Sequence, residues 1–362
     1  MMKSKLLIFV LAVMSYSVAV AQRIRVVDTN GLPIPAVCVT DDNGALVGST
    51  DNDGWLDDAR GKTVLFFSHV AFQDKSVNLS DIVNSQVVLE DFNYELGELV
   101  VKPKELLYVQ TYYRCVYVCD EGPLYFRAGV VDNTYEVAKK KLSAKTKSVS
   151  RGQNGLLRFA LSTFVGKRID EWARLDTVTT YKKLLELADK GKLSITEDST
   201  GRRIVSDTVS VLGFVEEDLD SRFRTTSFDL FTYKNRVDAA KDQKKGKKKE
   251  NKNYQPGEHG YYEVYRFDDD GYSSFSDMIM KQVLARGHFE RTDQDFIILL
   301  EAFTTQVGYI DKKEFKQTRK DYEVEMKIEE IRQFERAHKI PELAPNLKAA
   351  VDKLFEKELK NN

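Results

Sequence analysis

The sequence predicts a multidomain protein: an N-terminal all-β sandwich followed by an α+β domain with C-terminal helices. Three observations predict it. Residues 23–91 hold short apolar runs separated by glycine-containing turn signals, the mark of a sandwich. From about residue 156 the apolar period lengthens to that of a helix, and short strands return after 192. The chain then ends in two amphipathic stripes. At 362 residues it has room for two or three domains and a sizeable core.

The first residues carry a targeting pattern. Lys3 and Lys5 precede an apolar run over 6–21, and Ala19-Val20-Ala21 places small residues where a signal peptidase cuts. The run falls short of the roughly 20 residues that span a bilayer. Residues 1–21 are therefore expected to be a signal peptide, with Gln22 opening the mature chain. With no cysteine near that site, a lipid anchor is not expected. The implied location is the periplasm or the periplasmic face of the outer membrane.

Residues 22–92 form the expected sandwich. Strand candidates lie at 23–28, 36–40, 45–50, 64–68, 76–79 and 86–89, with turns at Asn30-Gly31, Asn43-Gly44, Asp53-Gly54 and Arg60-Gly61. Several segments resemble the carboxypeptidase regulatory-like domain. Gly31-Leu32-Pro33-Ile34-Pro35-Ala36-Val37 is similar to its G-x-P-L-P-G-A opening, and Thr50-Asp51-Asn52-Asp53-Gly54 to its T-D-x-D-G turn. Leu65-x-Phe67-Ser68-x-Val70-x-Phe72 resembles its L-x-F-S-x-V-G-[YF] strand, and Leu96-x-Glu98-Leu99-Val100-Val101 its exit segment. Ala36 and Val37 stand where the opening usually has Gly and Ala, and Ala71 replaces another Gly.

The resemblance covers about the first quarter of the mature chain. It implies a transthyretin-like, seven-stranded sandwich serving as a spacer or docking module. Such modules are common in outer-membrane transporters and other exported proteins of polysaccharide-degrading bacteria. The type implied is an exported protein of the Bacteroidota. What remains of the chain is too short for a transporter barrel of about 22 strands.

Residues 93–103 read as a linker and 104–338 as the α+β domain. Within the latter, 104–137 is an aromatic β segment turning at Asp120-Glu121-Gly122-Pro123. Its Tyr108, Tyr112, Tyr113, Tyr117, Tyr125 and Phe126 are expected to be core, an exposed platform for sugar rings being the rival reading. Helical spacing marks 156–165 and 178–188, the second capped by Asp176 or Thr177 and ended by Gly191. Strands are expected at 193–197, 204–215 and 261–267, while 296–310 fits a strand or a helix. The Lys-rich loop 239–256 repels itself and reads as solvated, with peripheral contact to anionic headgroups as the alternative. Val324, Ile328, Ile331 and Phe334 form one terminal stripe; the segment 339–362 carries another from Leu347 to Leu359. Each part is expected to bury a core of its own.

The net charge of −1 supplies no field for nucleic acid. His69, His259, His288 and His338 start no metal motif, and neither phosphate-binding loops nor a nucleophile elbow occur. Asp51-Asn52-Asp53-Gly54 and Asp268-Asp269-Asp270-Gly271 lack the carboxylate that closes a calcium loop, Lys62 and Ile279 standing in its place; both read as hairpin turns. Cys115 and Cys119 on one strand would lie about 13 Å apart at roughly 3.3 Å per residue, beyond the about 7 Å a disulfide spans. Cys38 reads as a small buried side chain.

No catalytic, cofactor-binding or metal residues are therefore assigned, and no cofactor is called for. The expected function is non-catalytic binding or scaffolding in the cell envelope, with another envelope protein or a glycan as partner. The alternative is a periplasmic hydrolase whose site is dispersed through the α+β domain. A cleft with converging carboxylates of shifted pKa would favour that alternative.

Overall fold

The computed structural model describes residues 23–92, 94, 105–153, 169, 171–230, 232–234, 236–237, 255–289, 293–318 and 324–359. The expected signal peptide, most of the linker, the helix expected at 156–165 and the Lys-rich tract up to residue 254 lie outside the described residues. Among the described residues, no helix is long and apolar enough to cross a membrane.

The N-terminal part contains seven short strands: β1 (Ile24–Val27), β2 (Cys38–Thr40), β3 (Leu46–Ser49), β4 (Trp55–Leu56), β5 (Val64–Ser68), β6 (Lys75–Asn78) and β7 (Gln86–Val88). They form two sheets, ordered β4-β1-β7 and β3-β2-β5-β6. Ile24, Val26 and Val87 from one sheet meet Val39, Leu65 and Phe67 from the other, so the alternating apolar faces close on each other. Each of the six expected runs holds one of these strands; β4 is the addition.

The turns owe as much to aspartate as to glycine. Asp28, Asp41, Asp51, Asp198 and Asp268 each accept, through one carboxylate oxygen, the N–H groups of the residues two and four places on. The residue three places on is always a glycine with positive φ, for example Gly54 at 76° and Gly271 at 74°. At Gly54 a Cβ would also stand 2.5 Å from the Val26 carbonyl. The two aspartate-rich segments that resemble calcium loops are thus hairpin turns whose leading carboxylates are occupied by backbone.

The rest of the chain is dominated by one sheet. Its strands are β8 (Leu106–Cys119), β9 (Gly122–Glu136), β10 (Lys141–Gln153), β11 (Ser194–Glu197), β12 (Arg203–Ser206), β13 (Val211–Asp218), β14 (Phe223–Phe228), β15 (Gln255–Arg266), β16 (Met278–Phe289), β17 (Gln294–Ile310) and β18 (Val324–Glu325). The order is β11-β12-β13-β14-β15-β16-β17-β8-β9-β10-β18, antiparallel throughout except for the β10–β18 pair. Among the described residues, the helices that accompany it include α1 (Thr180–Asp189), α2 (Lys312–Thr318), α3 (Ile328–Ala337), α4 (Pro345–Leu354) and α5 (Glu356–Leu359).

Several local expectations are corrected. The run 204–215 is two strands, because the Asp207 carboxylate accepts from the N–H groups of Val209 and Ser210 and folds the chain back. Residues 296–310 are strand, paired along their whole length with β8. The cap of α1 is Thr179, whose Oγ1 accepts from Lys182 N at 3.3 Å, not Asp176 or Thr177. Asp176 instead pairs with Lys183. Val324 belongs to β18 rather than to the helical stripe, and Pro256 lies in β15 rather than in the Lys-rich loop.

The central strands are apolar on both faces because both faces are covered. Along β8, Tyr112, Val116 and Val118 face a cluster shared with α3, α4 and the N-terminal part. Tyr113, Cys115, Tyr117 and Cys119 face the opposite way, toward Ile169 and Ala173. All six expected core aromatics of this segment are buried, which leaves no platform there for sugar rings. The three cysteines are buried and free.

The expectation of independent cores holds only halfway. The N-terminal part has its own core, but its Val70, Ala71 and Phe72 also join the cluster formed by β8, β9, α3 and α4. Hydrogen bonds stitch the same seam: Gln282 accepts from Val70 N at 2.9 Å and donates to the Ala36 carbonyl at 2.8 Å. Asn346, at the start of α4, donates to Thr40 Oγ1 and to the Asp41 carbonyl, both at 2.7 Å.

Candidate functional site

Antiparallel register lines up Tyr262, Gln282, Glu301, Arg114 and Ala128 across five neighbouring strands, on the face toward the N-terminal part. Within this row Arg114 and Glu301 are directly opposite each other, and Arg114 Nε donates to Glu301 Oε2 at 2.6 Å. Arg114 Nη1 also donates to Glu335 Oε1 at 3.2 Å and to the Pro341 carbonyl at 2.6 Å. Tyr112, one residue pair along β8, donates its hydroxyl to the same Glu335 oxygen at 2.6 Å. One buried guanidinium thus ties β17, α3 and the segment after α3 to the middle of the sheet.

All three charged side chains of this network are at least about nine-tenths buried. Burial would strip the Arg114 proton, but the carboxylates of Glu301 and Glu335 outweigh it and hold the guanidinium charged. One cation against two carboxylates leaves the seam with an excess negative charge. A pair buried this deeply is stable only when its remaining hydrogen-bonding capacity is met. The Pro341 carbonyl and the Tyr112 hydroxyl meet part of it here.

Beside this network lies a half-open cleft of about 540 Å³. The N-terminal part supplies one wall, from Ser68 through Asp74 together with Asp91 and Phe92; Arg114, Leu299 and Glu301 form the sheet side, and residues 341–344 with Leu347 complete it. Its size is that of ordinary small-molecule sites. Asp74 retains solvent exposure as a residue, yet its carboxyl is crowded by protein. Burial, then the nearby Glu301 charge, push its pKa up to about 7; Arg114 and Ser68 pull weakly the other way. Burial also raises Asp91, with Asp28 and Glu216 adding to the shift.

His69 forms part of the same wall. Burial pushes its pKa down to about 3, so the ring is neutral at neutral pH. Its Nδ1 accepts from Ala71 N at 3.3 Å, which places the proton on Nε2. That Nε2 is buried and makes no hydrogen bond. The ring packs edge-to-face with Tyr262, centroids 4.4 Å apart, and against Phe72 at 5.2 Å. The sequence reading of a structural His69 accounts for the packing but not for the unmet donor.

No protein-family model matches the chain, and neither does any curated protein. Among solved structures, one described as lipid–protein interactions in lipovitellin matches over 59% of this chain and 26% of that one, at 9% identity and a TM-score of 0.27. The chain spans about a quarter of that protein's length, and a likeness this slight carries no structural argument.

Chemistry beyond the cleft is sparse. Burial raises Cys38 to about 12 and lifts Cys115 and Cys119 as well, so none is a ready thiolate. Among the described residues, no group of three His, Cys, Asp or Glu side chains could hold a metal ion. His288 sits on the surface between Asp293 and Asp295, and His338 stacks on Phe334.

Sequence reasoning passed over Arg114, Glu301 and Asp74. The first two had a signal. Each is a lone charge within an otherwise apolar strand, Arg114 amid Tyr112–Val118 and Glu301 amid Phe296–Phe303. Opposite single charges in two buried strands point to a pair, because an isolated one could not be buried. Asp74 had none: beyond burial, the carboxylate that raises it, Glu301, comes from a strand far along the chain.

Proposed function

We propose that this chain is an exported, non-catalytic binding or scaffolding protein of the cell envelope, and that the cleft beside Arg114 is where it holds its ligand. The observation that carries the reading is the cleft itself, a cavity of small-molecule size walled by three separate parts of the chain, with polar and apolar groups sharing its lining about equally. The N-terminal part serves as the transthyretin-like docking module. In support, Ala36 takes φ 58° at the position where the resembling family carries Gly, so this chain keeps the glycine conformation without the glycine. The Lys3/Lys5 leader and the Ala19-Val20-Ala21 site support export.

One observation favours the hydrolase alternative: Asp74, raised to about 7, suits a general acid or base. Against it, the neighbouring groups are already engaged. Glu301 is held by Arg114, and Glu342 pairs with Lys348. Asp91, its pKa also raised, and the neutral His69 line the same cleft, but no activated nucleophile stands beside Asp74 among the described residues.

Crosslinking in intact envelopes, followed by capture of the chain and intact-mass analysis, tests the reading. The expected result is a mature chain beginning at Gln22 and joined to envelope components. A cytosolic chain retaining residues 1–21 overturns it.

A further inference from the structure

The cleft combines features that narrow its ligand to one chemical class. His69 Nε2–H is a buried donor without an acceptor, in a residue only 3% exposed. An unmet buried donor is destabilising unless something arrives to accept from it. Across the wall, Asp74 and Asp91 offer carboxyl oxygens, which accept. Phe72 and Phe92 add aromatic surface, and Leu343 and Leu347 an apolar flank.

Charge excludes the simple alternatives. An anion would meet Asp74, Asp91 and Glu301 in a cleft whose lining guanidinium, Arg114, is already shared by two carboxylates. A cation would suit the carboxylates but would leave the neutral imidazole N–H unanswered and sit close to Arg114. A neutral molecule with hydroxyl groups meets both demands, since each hydroxyl donates to a carboxylate and accepts from an N–H. Its C–H faces can lie on Phe72 and Phe92.

We infer that the cleft formed by His69, Phe72, Asp74, Asp91 and Phe92 binds a neutral sugar, as a free saccharide or as one residue of a glycan. This rests on the binding reading above and names the ligand class for the same cleft. Asp74 supplies the acceptor and the phenylalanines the stacking surface, and His69 supplies the donor once its ring turns from its buried position against Tyr262. The Arg114–Glu301 pair forms the sheet side of the cleft and holds that wall in place.

The test is calorimetric titration of the full mature chain with glucose, galactose, mannose, N-acetylglucosamine, maltose and cellobiose, with choline and citrate as charged controls. At least one neutral saccharide is expected to bind at millimolar concentrations or below, and both controls to be inert. Asp74→Ala, at a partly exposed site, is expected to weaken that binding about tenfold, the scale of one hydrogen bond to a charged group, in a chain whose circular dichroism stays that of the folded protein. His69→Phe, which keeps an aromatic ring but removes both nitrogens, is expected to weaken it similarly in a chain that circular dichroism shows to be folded. Binding of choline or citrate but of no saccharide overturns the ligand class while leaving the cleft a binding site. Saccharide binding untouched by Asp74→Ala in a folded chain overturns the site. Failure of every ligand in the panel overturns the inference, and envelope crosslinking then judges the broader reading separately.

Discussion

The core of the N-terminal part and the seam that joins it to the long sheet solve the same problem in opposite ways. The core is aliphatic and aromatic, with Leu65 and Phe67 fully buried and no charge to neutralise. The seam buries Arg114 with Glu301 and Glu335 and a neutral histidine, and at its edge stands an aspartate whose pKa is raised to about 7. A dry core tolerates imprecise partners, because dispersion and hydrophobic burial are non-directional. A charged seam requires each donor to find its acceptor. The first stabilises without specifying a neighbour; the second specifies one.

The largest expected effect breaks the seam at its most deeply buried charge network. Arg114→Met should destabilise by about 3–5 kcal/mol, since it leaves two carboxylates buried without their countercharge and frees the Pro341 carbonyl. Urea titration measures it. A loss below about 1 kcal/mol, the value of an exposed pair, would mean that solvent reaches the network. Slightly smaller, Leu65→Ala in the N-terminal core should cost about 2–5 kcal/mol by the cavity it leaves. Because Val70 and Phe72 join the larger cluster, unfolding should remain one transition by fluorescence and circular dichroism. Two separated transitions would show the seam to be weaker than the core.

Gln282→Leu should cost about 1–3 kcal/mol, as Val70 N–H and the Ala36 carbonyl lose their partners in the seam. Denaturant midpoints compared with an unchanged m-value isolate the effect.

How much of this contrast the sequence disclosed follows from its physics. The core strands lie within 70 residues and announce themselves by alternation and turns, so all six expected runs appear. The hairpin of β8 and β9 was equally legible from Asp120-Glu121-Gly122-Pro123. The seam was not, because Arg114, Glu301 and Glu335 come from positions 187 and 221 apart. Register, not local preference, places Glu301 opposite Arg114, and one residue's slip would turn it to the other face. His69 was recognised as structural for its position, while its unmet Nε2–H became visible only once the cleft existed.

A subtler prediction concerns pH. The folded pKa of Asp74, about 7, lies above its ordinary carboxylate value, so between about pH 4 and 7 the folded state binds the extra proton and this group favours folding less as pH rises. His69, lowered to about 3, does the reverse: below its unfolded value near 6.5 the unfolded chain takes the proton, and stability falls with falling pH. The two slopes oppose each other where they overlap. Asp74→Asn should therefore stabilise above pH 7, by roughly 1 kcal/mol after allowing for the solvent that still reaches the residue, and have little effect at pH 4. Thermal melts across that range check it; equal stabilisation at both ends would refute the shift.

The smallest effect is expected at Ala36. Ala36→Gly should raise stability by about 0.5–1 kcal/mol by relieving the left-handed backbone at φ 58°, less what the extra freedom of an unfolded glycine takes back. A loss of stability in chemical denaturation would show that the methyl group's packing outweighs its strain.

The pairing of β17 with β8 bears on how the sheet comes into being. Strands β8 to β10 follow one another in sequence and in space, as do β11 to β17, but the two series meet only where residue 310 reaches residue 106. Local hairpins can therefore form early, while the joint between them waits for the longest-range contact in the sheet, the circumstance that makes folding slow. Until β17 arrives, β8 and β16 each present a bare row of amide and carbonyl groups, the template on which stray chains assemble. A nascent chain halted before residue 294 would carry both open edges at once and should aggregate, whereas one released after residue 310 can close them against each other.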